Sequence, residues 1–223
     1  MNSPIFVTGI ERSGSSIIAK ALDTTGGVYF GARTGRYENK AITNAIQLYL
    51  ISQQMDPHGQ FPLPVSELDI IPDIQNVISN ELIGMAKYPN ANTVTWAVKS
   101  GLLLHTWKTW VTLYPNARWV FVRRRPEQVI RSCNKTEYMK AYEYKHVLEQ
   151  IKAENVADGW RHWIRWGETQ MVAIMRSGVS YWEIWPDRFA DGDYSQLSTL
   201  IDGLGLTWNQ RIIPTISRLF LNI

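Results

Sequence analysis

The chain has one cysteine, Cys133, which leaves no internal disulfide framework open to it. It has no run approaching the roughly 18 consecutive apolar residues of a membrane span. It has no block of like charge either: 23 Lys and Arg stand against 20 Asp and Glu, a net charge of +3. That balance excludes a surface built to coat nucleic acid and suits a mildly basic cleft for a small anion. The four histidines, His58, His105, His146 and His162, share no ligand spacing such as H-E-x-x-H, so no metal site is expected. Repeats and low-complexity segments are missing. The N-terminus runs from Met-Asn-Ser straight into an apolar stretch, without the charged region or cleavage site of a signal peptide, so that stretch is expected to belong to the fold and the protein to the cytoplasm.

What the sequence does have is 45% hydrophobic residues over 223 positions, enough for one well-buried core, and residues 1–223 read as one domain. Ile5 to Thr8 is a short apolar run closed by a glycine-rich turn, as a strand buried in a parallel sheet should be. Thr93 to Lys99, Arg118 to Val122 and Ser180 to Trp185 are further strand candidates, rich in β-branched and aromatic residues. Helix-like spacing runs through Ser15–Leu22, Asn39–Gln53, Ser66–Met85, Leu102–Leu113 and a long region from Tyr138 to Met175. Strands alternating with helices predict an α/β fold with a parallel sheet flanked by helices. Ten tryptophans are many for this length; Trp160 and Trp163 share a helical face with Ile164, Gly167, Met171 and Ile174, which marks them as core.

The stretch after the first strand reads Gly9-Ile10-Glu11-Arg12-Ser13-Gly14-Ser15-Ser16. It has the glycine spacing of a P-loop, G-x-x-x-x-G, but Ser15 stands where a nucleoside-triphosphate loop needs lysine. A strand entering such a turn and leaving as a helix gathers backbone N–H groups and the positive helix end at one point, which makes an anion site. The hydroxyls of Ser13, Ser15 and Ser16 add neutral donors. Arg12 offers a forked, permanent positive charge in place of the lysine, to a phosphate or to the oxygen leaving one. A second strand breaks into a helix at Arg123-Arg124-Arg125-Pro126, with Pro126 suited to a first helical turn and Ser132 further along the helix. Arginines at the carboxyl end of a strand sit where open α/β sheets bind ligands, so this segment is a candidate second phosphate site.

These two motifs resemble those of the sulfotransferases that use 3′-phosphoadenosine 5′-phosphosulfate (PAPS). The family's 5′-phosphosulfate loop reads G-x-x-[RK]-S-G-[TS]-[TS], and its 3′-phosphate motif reads R-x-P with a serine eight residues after the arginine, here Arg124 and Ser132. Tyr37-Glu38-Asn39 is similar to the acidic segment of the bacterial and Golgi-type branches, and Trp96-Ala97-Val98-Lys99 to a W-x-x-K strand. Leu204-Gly205-Leu206 is similar to a late helix end, while the R-K-G-x-x-G segment of the cytosolic animal branch has no counterpart.

The resemblance implies transfer of a sulfuryl group from PAPS to a hydroxyl or amine of a small-molecule or glycan acceptor, without a metal and with PAP as product. It assigns Gly9, Arg12, Ser13, Gly14, Ser15, Ser16, Arg124 and Ser132 to the donor. Arg12 would stabilise the departing phosphate oxygen, and Lys99 would contact the sulfonate. Glu38 would be the general base, although the same carboxylate would serve equally as a first-turn acid against a helix dipole. His105, six residues after Lys99, is the competing base, since the cytosolic branch places a histidine there; a buried helix histidine is the plainer account of it. Glu11 departs from the family pattern and is expected to point away from the phosphosulfate and pair with an arginine. Residues 57–64 and 138–156 are candidate acceptor or lid elements. Two alternatives stay open on sequence: a P-loop kinase of nucleotides or small molecules, and a noncatalytic PAPS- or PAP-binding protein.

Overall fold

Ile5–Thr8 forms β1, and all four of its residues are buried, as a central parallel strand covered on both faces requires. The computed structural model describes residues 3–61, 74–87 and 94–220. Helix α1 (Ser15–Thr24) follows the glycine loop, and the two-residue strand β2 (Val28–Tyr29) follows that. Next come α2 (Lys40–Ser52), capped by the Asn39 side chain accepting from the Ile42 amide, and α3 (Ile74–Ala86). Strand β3 (Thr95–Lys99) leads to α4 (Trp107–Leu113), and β4 (Arg118–Val122) to α5 (Pro126–Asn134). After α6 (Lys145–Gln150) and α7 (Val156–Arg176), β5 (Ser180–Ile184) closes the sheet, followed by α8 (Ser195–Gly203) and α9 (Ile212–Phe220).

The sheet order is β2-β3-β1-β4-β5, and every pairing is parallel, so the described residues form the expected α/β domain. Alternate strand residues feed two cores. Phe6, Trp96, Val98, Trp119 and Phe121 pack under α2, α3, α4, α5 and α7, while Ile5, Val7, Ala97, Val120 and Val122 pack under α1, α8 and α9. Phe6 is the centre of the first core: edge-on contacts with Trp96, Trp110, Tyr114 and Trp119 span centroid distances of 5.1–6.1 Å. Trp160 and Trp163 lie on the buried face of α7 with Ile164, Gly167, Met171 and Ile174, as their spacing indicates.

Three expected helices end differently. Leu102–Leu113 is not one helix: a 3₁₀ turn, Gly101–Leu104, precedes α4. The Ser100 hydroxyl caps that turn by accepting from Leu102 N, and Leu102, Leu103 and Leu104 are all buried. The Tyr138–Met175 region divides into a 3₁₀ turn at Ala141–Glu143, α6 and α7. The break before α7 is made by Lys152 at φ +55° and by Asn155, whose side chain accepts from Asp158 N at 3.0 Å. Of the expected helix Ser66–Met85, the part from Ile74 onward is α3; residues 66–73 lie outside the described residues.

Candidate active site

The loop between β1 and α1 is shaped by two glycines. A Cβ at Gly9 would overlap the Val122 carbonyl oxygen, so only glycine lets this loop cross the end of β4. Gly14 caps α1 in the left-handed region at φ +93°, and Arg12 is left-handed too at φ +70°. Between them the Ser13 amide closes a turn onto Ile10 O, and Ser15 and Ser16 begin α1, where amides have no intrahelical acceptor. The Ser13 hydroxyl is buried and has no hydrogen-bond partner. A buried donor without an acceptor beside the first amides of a helix fits an oxyanion ligand. Ser16 is engaged otherwise, donating to Arg36 O at 3.1 Å.

The loop and the second motif meet. Arg12 Nε donates to Ser132 Oγ at 2.9 Å, and Arg124 Nη1 donates to the Arg12 carbonyl oxygen at 3.2 Å. Arg124 is held further by Gln128 Oε1 at 2.9 Å and Asp187 Oδ1 at 3.4 Å. Its neighbours are used differently: Arg123 pairs with Glu168 and Glu183, and Arg125 is exposed with its amide on Asp187. Of the three arginines, Arg124 is the one that lines the cleft.

On the other side of β1 the cleft is lined by Lys99 and Glu38. Lys99 is 4% exposed, and its Nζ lies 2.8 Å from Glu38 Oε1. Glu38 stands before the α2 cap Asn39 rather than in the first turn, so its carboxylate serves the lysine and not the helix amides. Asn39 itself is structural: besides capping α2 it donates to Phe30 O and Glu81 Oε2. Tyr37 turns outward to Asp23 and Arg33.

Glu11 does not point away. It lines the same cleft, its Cγ lies where a Cβ at Gly101 would stand 3.1 Å off, and among the described residues it forms no ion pair with an arginine. Its Oε2 is buried without a hydrogen-bond partner. Burial, and next the Glu38 carboxylate, hold its carboxyl above the usual carboxylate range, against the opposing pull of Lys99, His58 and the Tyr138 hydroxyl.

His105 is not brought to the cleft. It packs beneath Gly59 with its ring 4.3 Å from that of Trp166, and burial lowers it to about 3. Residues 57–61 are tied to the other candidate segment, 138–156: Gln60 Nε2 donates to Tyr138 O at 2.9 Å and Tyr142 Oη to Gln60 O at 2.9 Å. Residues 62–64 lie outside the described residues.

Two lining residues, Arg36 and Asp187, were not foreseen, and a third, Tyr138, opens the candidate acceptor element 138–156. Arg36 Nη1 donates to Tyr138 Oη at 2.6 Å, with its guanidinium 5.0 Å from the ring centroid, and both line the cleft. Asp187 follows β5, and the rule that ligands gather at strand carboxyl ends would have pointed to it. Among the described residues no group of three or more His, Cys, Asp or Glu is arranged to hold a metal ion, and no helix is long and apolar enough to cross a membrane.

A parallel sheet whose β1 loop is flanked by an arginine after β4 on one side and by a Lys–Glu pair at the end of β3 on the other defines an α/β protein with its cleft at the carboxyl end of the strands. Comparison with known proteins narrows the class. The sequence profile described as "Sulfotransferase family" matches residues 4–199, and the chain belongs to that family. A sulfotransferase from Alicyclobacillus acidocaldarius superposes with a TM-score of 0.56 at 13% identity, covering 94% of this chain and 83% of that one. Sulfotransferase STF1 from Mycobacterium tuberculosis H37Rv gives 0.50 at 15% identity over 97% and 71% of the two chains. Sulfotransferase STF9 from Mycobacterium avium gives 0.50 at 12% identity over 99% and 68%. At these identities the likeness speaks for the fold. No curated protein matches the chain significantly.

Proposed function

We propose that the protein moves a sulfuryl group from PAPS to a hydroxyl or amine of a small-molecule or glycan acceptor, in line and without a metal, in the cytoplasm. The observation that carries this reading is the direct contact of the two phosphate motifs, Arg12 to Ser132 and Arg124 to the Arg12 carbonyl, at one end of a cleft whose other side is the Glu38–Lys99 pair.

PAPS supplies the sulfuryl group and a phosphate leaving group. The loop amides, Ser13 and Arg12 hold the 5′ end, and Arg12 stabilises the charge that grows on the departing oxygen. Arg124 takes the 3′-phosphate with its guanidinium, and Ser132, by holding Arg12 at Nε, sets the direction of that fork. Glu38 removes the acceptor's proton: Lys99 fixes Oε1, leaving Oε2 for the proton, and the buried lysine, which lines the same cleft, would contact the sulfonate. His105, shut away from the cleft, takes no part.

The experiment is a thermal-shift series without Mg²⁺, followed by PAPS turnover on a panel of sugar, phenol and amine acceptors. PAP is expected to raise the melting temperature by mass action on the native state. A shift with Mg-ATP and none with PAP refutes the reading in favour of a kinase; PAP binding with no turnover on any acceptor leaves a noncatalytic PAP-binding protein.

A further inference from the structure

Glu11 is a carboxylate inside the loop that must hold an anion, and the proposed function gives it no task. We propose that Glu11 is the proton-binding residue of donor loading: as the anionic donor enters, the Glu11 carboxylate takes a proton from solvent, and donor affinity therefore falls as pH rises. The inference rests on the reading of the cleft as a PAPS site.

The geometry leaves Glu11 little alternative. It lies between Ile10 and Arg12, and lines the cleft with Arg12, Ser13 and Lys99. A donor held by the loop therefore brings negative charge against it. Lys99 is already committed to Glu38 at 2.8 Å. The Glu11 Oε2 atom has neither solvent nor a hydrogen-bond partner to support a charge. Glu38 from the loop before α2, Lys99 from β3, His58 from the segment after α2 and Tyr138 from the segment after α5 all face it. Arg12 is its chain neighbour, Cys133 of α5 is within electrostatic reach, and Arg36 acts on it through Tyr138. Of these, Glu38 disfavours the charged form and burial disfavours it more, so the carboxyl's affinity for a proton is raised before any ligand arrives. An entering phosphosulfate pushes the same way. The step is a simple protonation: a solvent proton forms an O–H bond on the Glu11 carboxylate, the positive charge cancels the carboxylate's, and the neutral acid no longer repels the donor.

Binding that takes up one proton loses up to ten-fold in affinity for each pH unit. The test is calorimetric titration of PAP into the wild type and Glu11→Gln from pH 6 to 8.5. PAP's own phosphates, which titrate near pH 6, are common to both proteins, so the ratio of the two dissociation constants removes them and reports the effect of the Glu11 carboxylate. The expected result is a wild-type to variant ratio that rises at least ten-fold across the range. At pH 8, where free PAP is fully deprotonated, wild-type heats in Tris and in Hepes are expected to differ by the uptake of a proton that Glu11→Gln does not take. Should the amide variant fail to fold, Glu11→Ser serves for the ratio, and the wild-type buffer pair stands on its own. A ratio that stays flat with pH, or no proton uptake at pH 8 while PAP binds, overturns the proposal and leaves the PAPS reading intact. PAP that binds neither protein at any pH overturns the PAPS reading, and this inference with it.

Discussion

The clearest quantitative consequence of the structure concerns His105, the base that the cytosolic branch would use. Burial against Trp166 and Gly59 lowers it from 6.5 to about 3, while in the unfolded chain it titrates at its ordinary value. The folded state therefore binds fewer protons than the unfolded state between those two values. Its folded pKa is depressed, and the neutral ring it needs is lost to the unfolded chain as pH falls below 6.5. Going from pH 7 to pH 5, the cost is about 2 kcal/mol, from about 1.4 kcal/mol for each pH unit traversed below the unfolded value. Replacing His105 with Leu, of similar volume and without a proton to gain, is expected to remove that loss. Urea unfolding of the wild type and His105→Leu at pH 7, 6 and 5 gives the comparison directly, because every other group, Glu11 included, is common to both proteins. The stability difference between them should shift by about 2 kcal/mol in favour of the variant across the range. Parallel pH curves would refute the burial argument, and loss of PAPS turnover in a folded His105→Leu would refute the placement of His105 outside the chemistry.

Arg124→Ala is expected to weaken PAP by about 10- to 150-fold, the value of a charge-assisted phosphate contact, and Ser132→Ala by less, in calorimetry without Mg²⁺. Arg12→Ala should lower turnover more than PAP affinity, since its contact strengthens as charge develops; equal losses in all three would contradict that division. Glu38→Gln should keep PAP affinity while turnover falls by roughly 10²–10⁴ and the acidic limb of its pH profile disappears, and near-full activity would remove Glu38 as base. Lys99→Met leaves Glu38 and Glu11 facing one another without their cation, and should cost roughly 1–3 kcal/mol in urea unfolding, less than the 3–5 of a fully buried pair because Glu38 is partly solvated. Gly9→Ala drives a methyl into the Val122 carbonyl; a loss near the top of the roughly 1–3 kcal/mol range for overpacking, with PAP binding gone, is expected, and a wild-type melting curve would show that the loop does not cross β4 as described.

Much of this was legible because the informative residues are local. The runs Ile5–Thr8 and Arg118–Val122 announce buried parallel strands, and the glycine spacing and R-x-P that follow them lie within one strand–loop–helix unit each. What sequence could not supply was either too short or too distant. The strand β2 has two residues, below any periodicity, and Leu102–Leu113 has apolar spacing that an α-helix and a 3₁₀ turn followed by an α-helix satisfy alike. Arg36 and Tyr138 meet across the fold, each ordinary in its own neighbourhood. The direction of Glu11 depends on the space above Gly101, a residue 90 positions away, so a rule about repulsion between carboxylate and phosphosulfate could not decide it.

The strand order gives the loop after β1 two different flanks. With β1 between β3 and β4, the loop after β1 has two different neighbours at the carboxyl end of the sheet. The pairing of Thr8 with Phe121 sets the glycine loop beside the turn after β4, close enough that Gly9 touches Val122 and Arg12 reaches Ser132. The pairing of Val7 with Lys99 places the lysine on the opposite flank of the same loop, where the segment before α2 delivers Glu38. On the proposed reading the nucleotide's 3′ end belongs to the β1–β4 side and proton removal to the β1–β3 side, with Arg12 at the boundary and Glu11 on the β3 side against Gly101. Such an arrangement requires that Arg124 and Glu38 variants fail in different assays, affinity for the first and turnover for the second. It also means that a double variant of the two should combine its losses independently, because no side-chain contact joins the Arg124 cluster to the Glu38–Lys99 pair among the described residues.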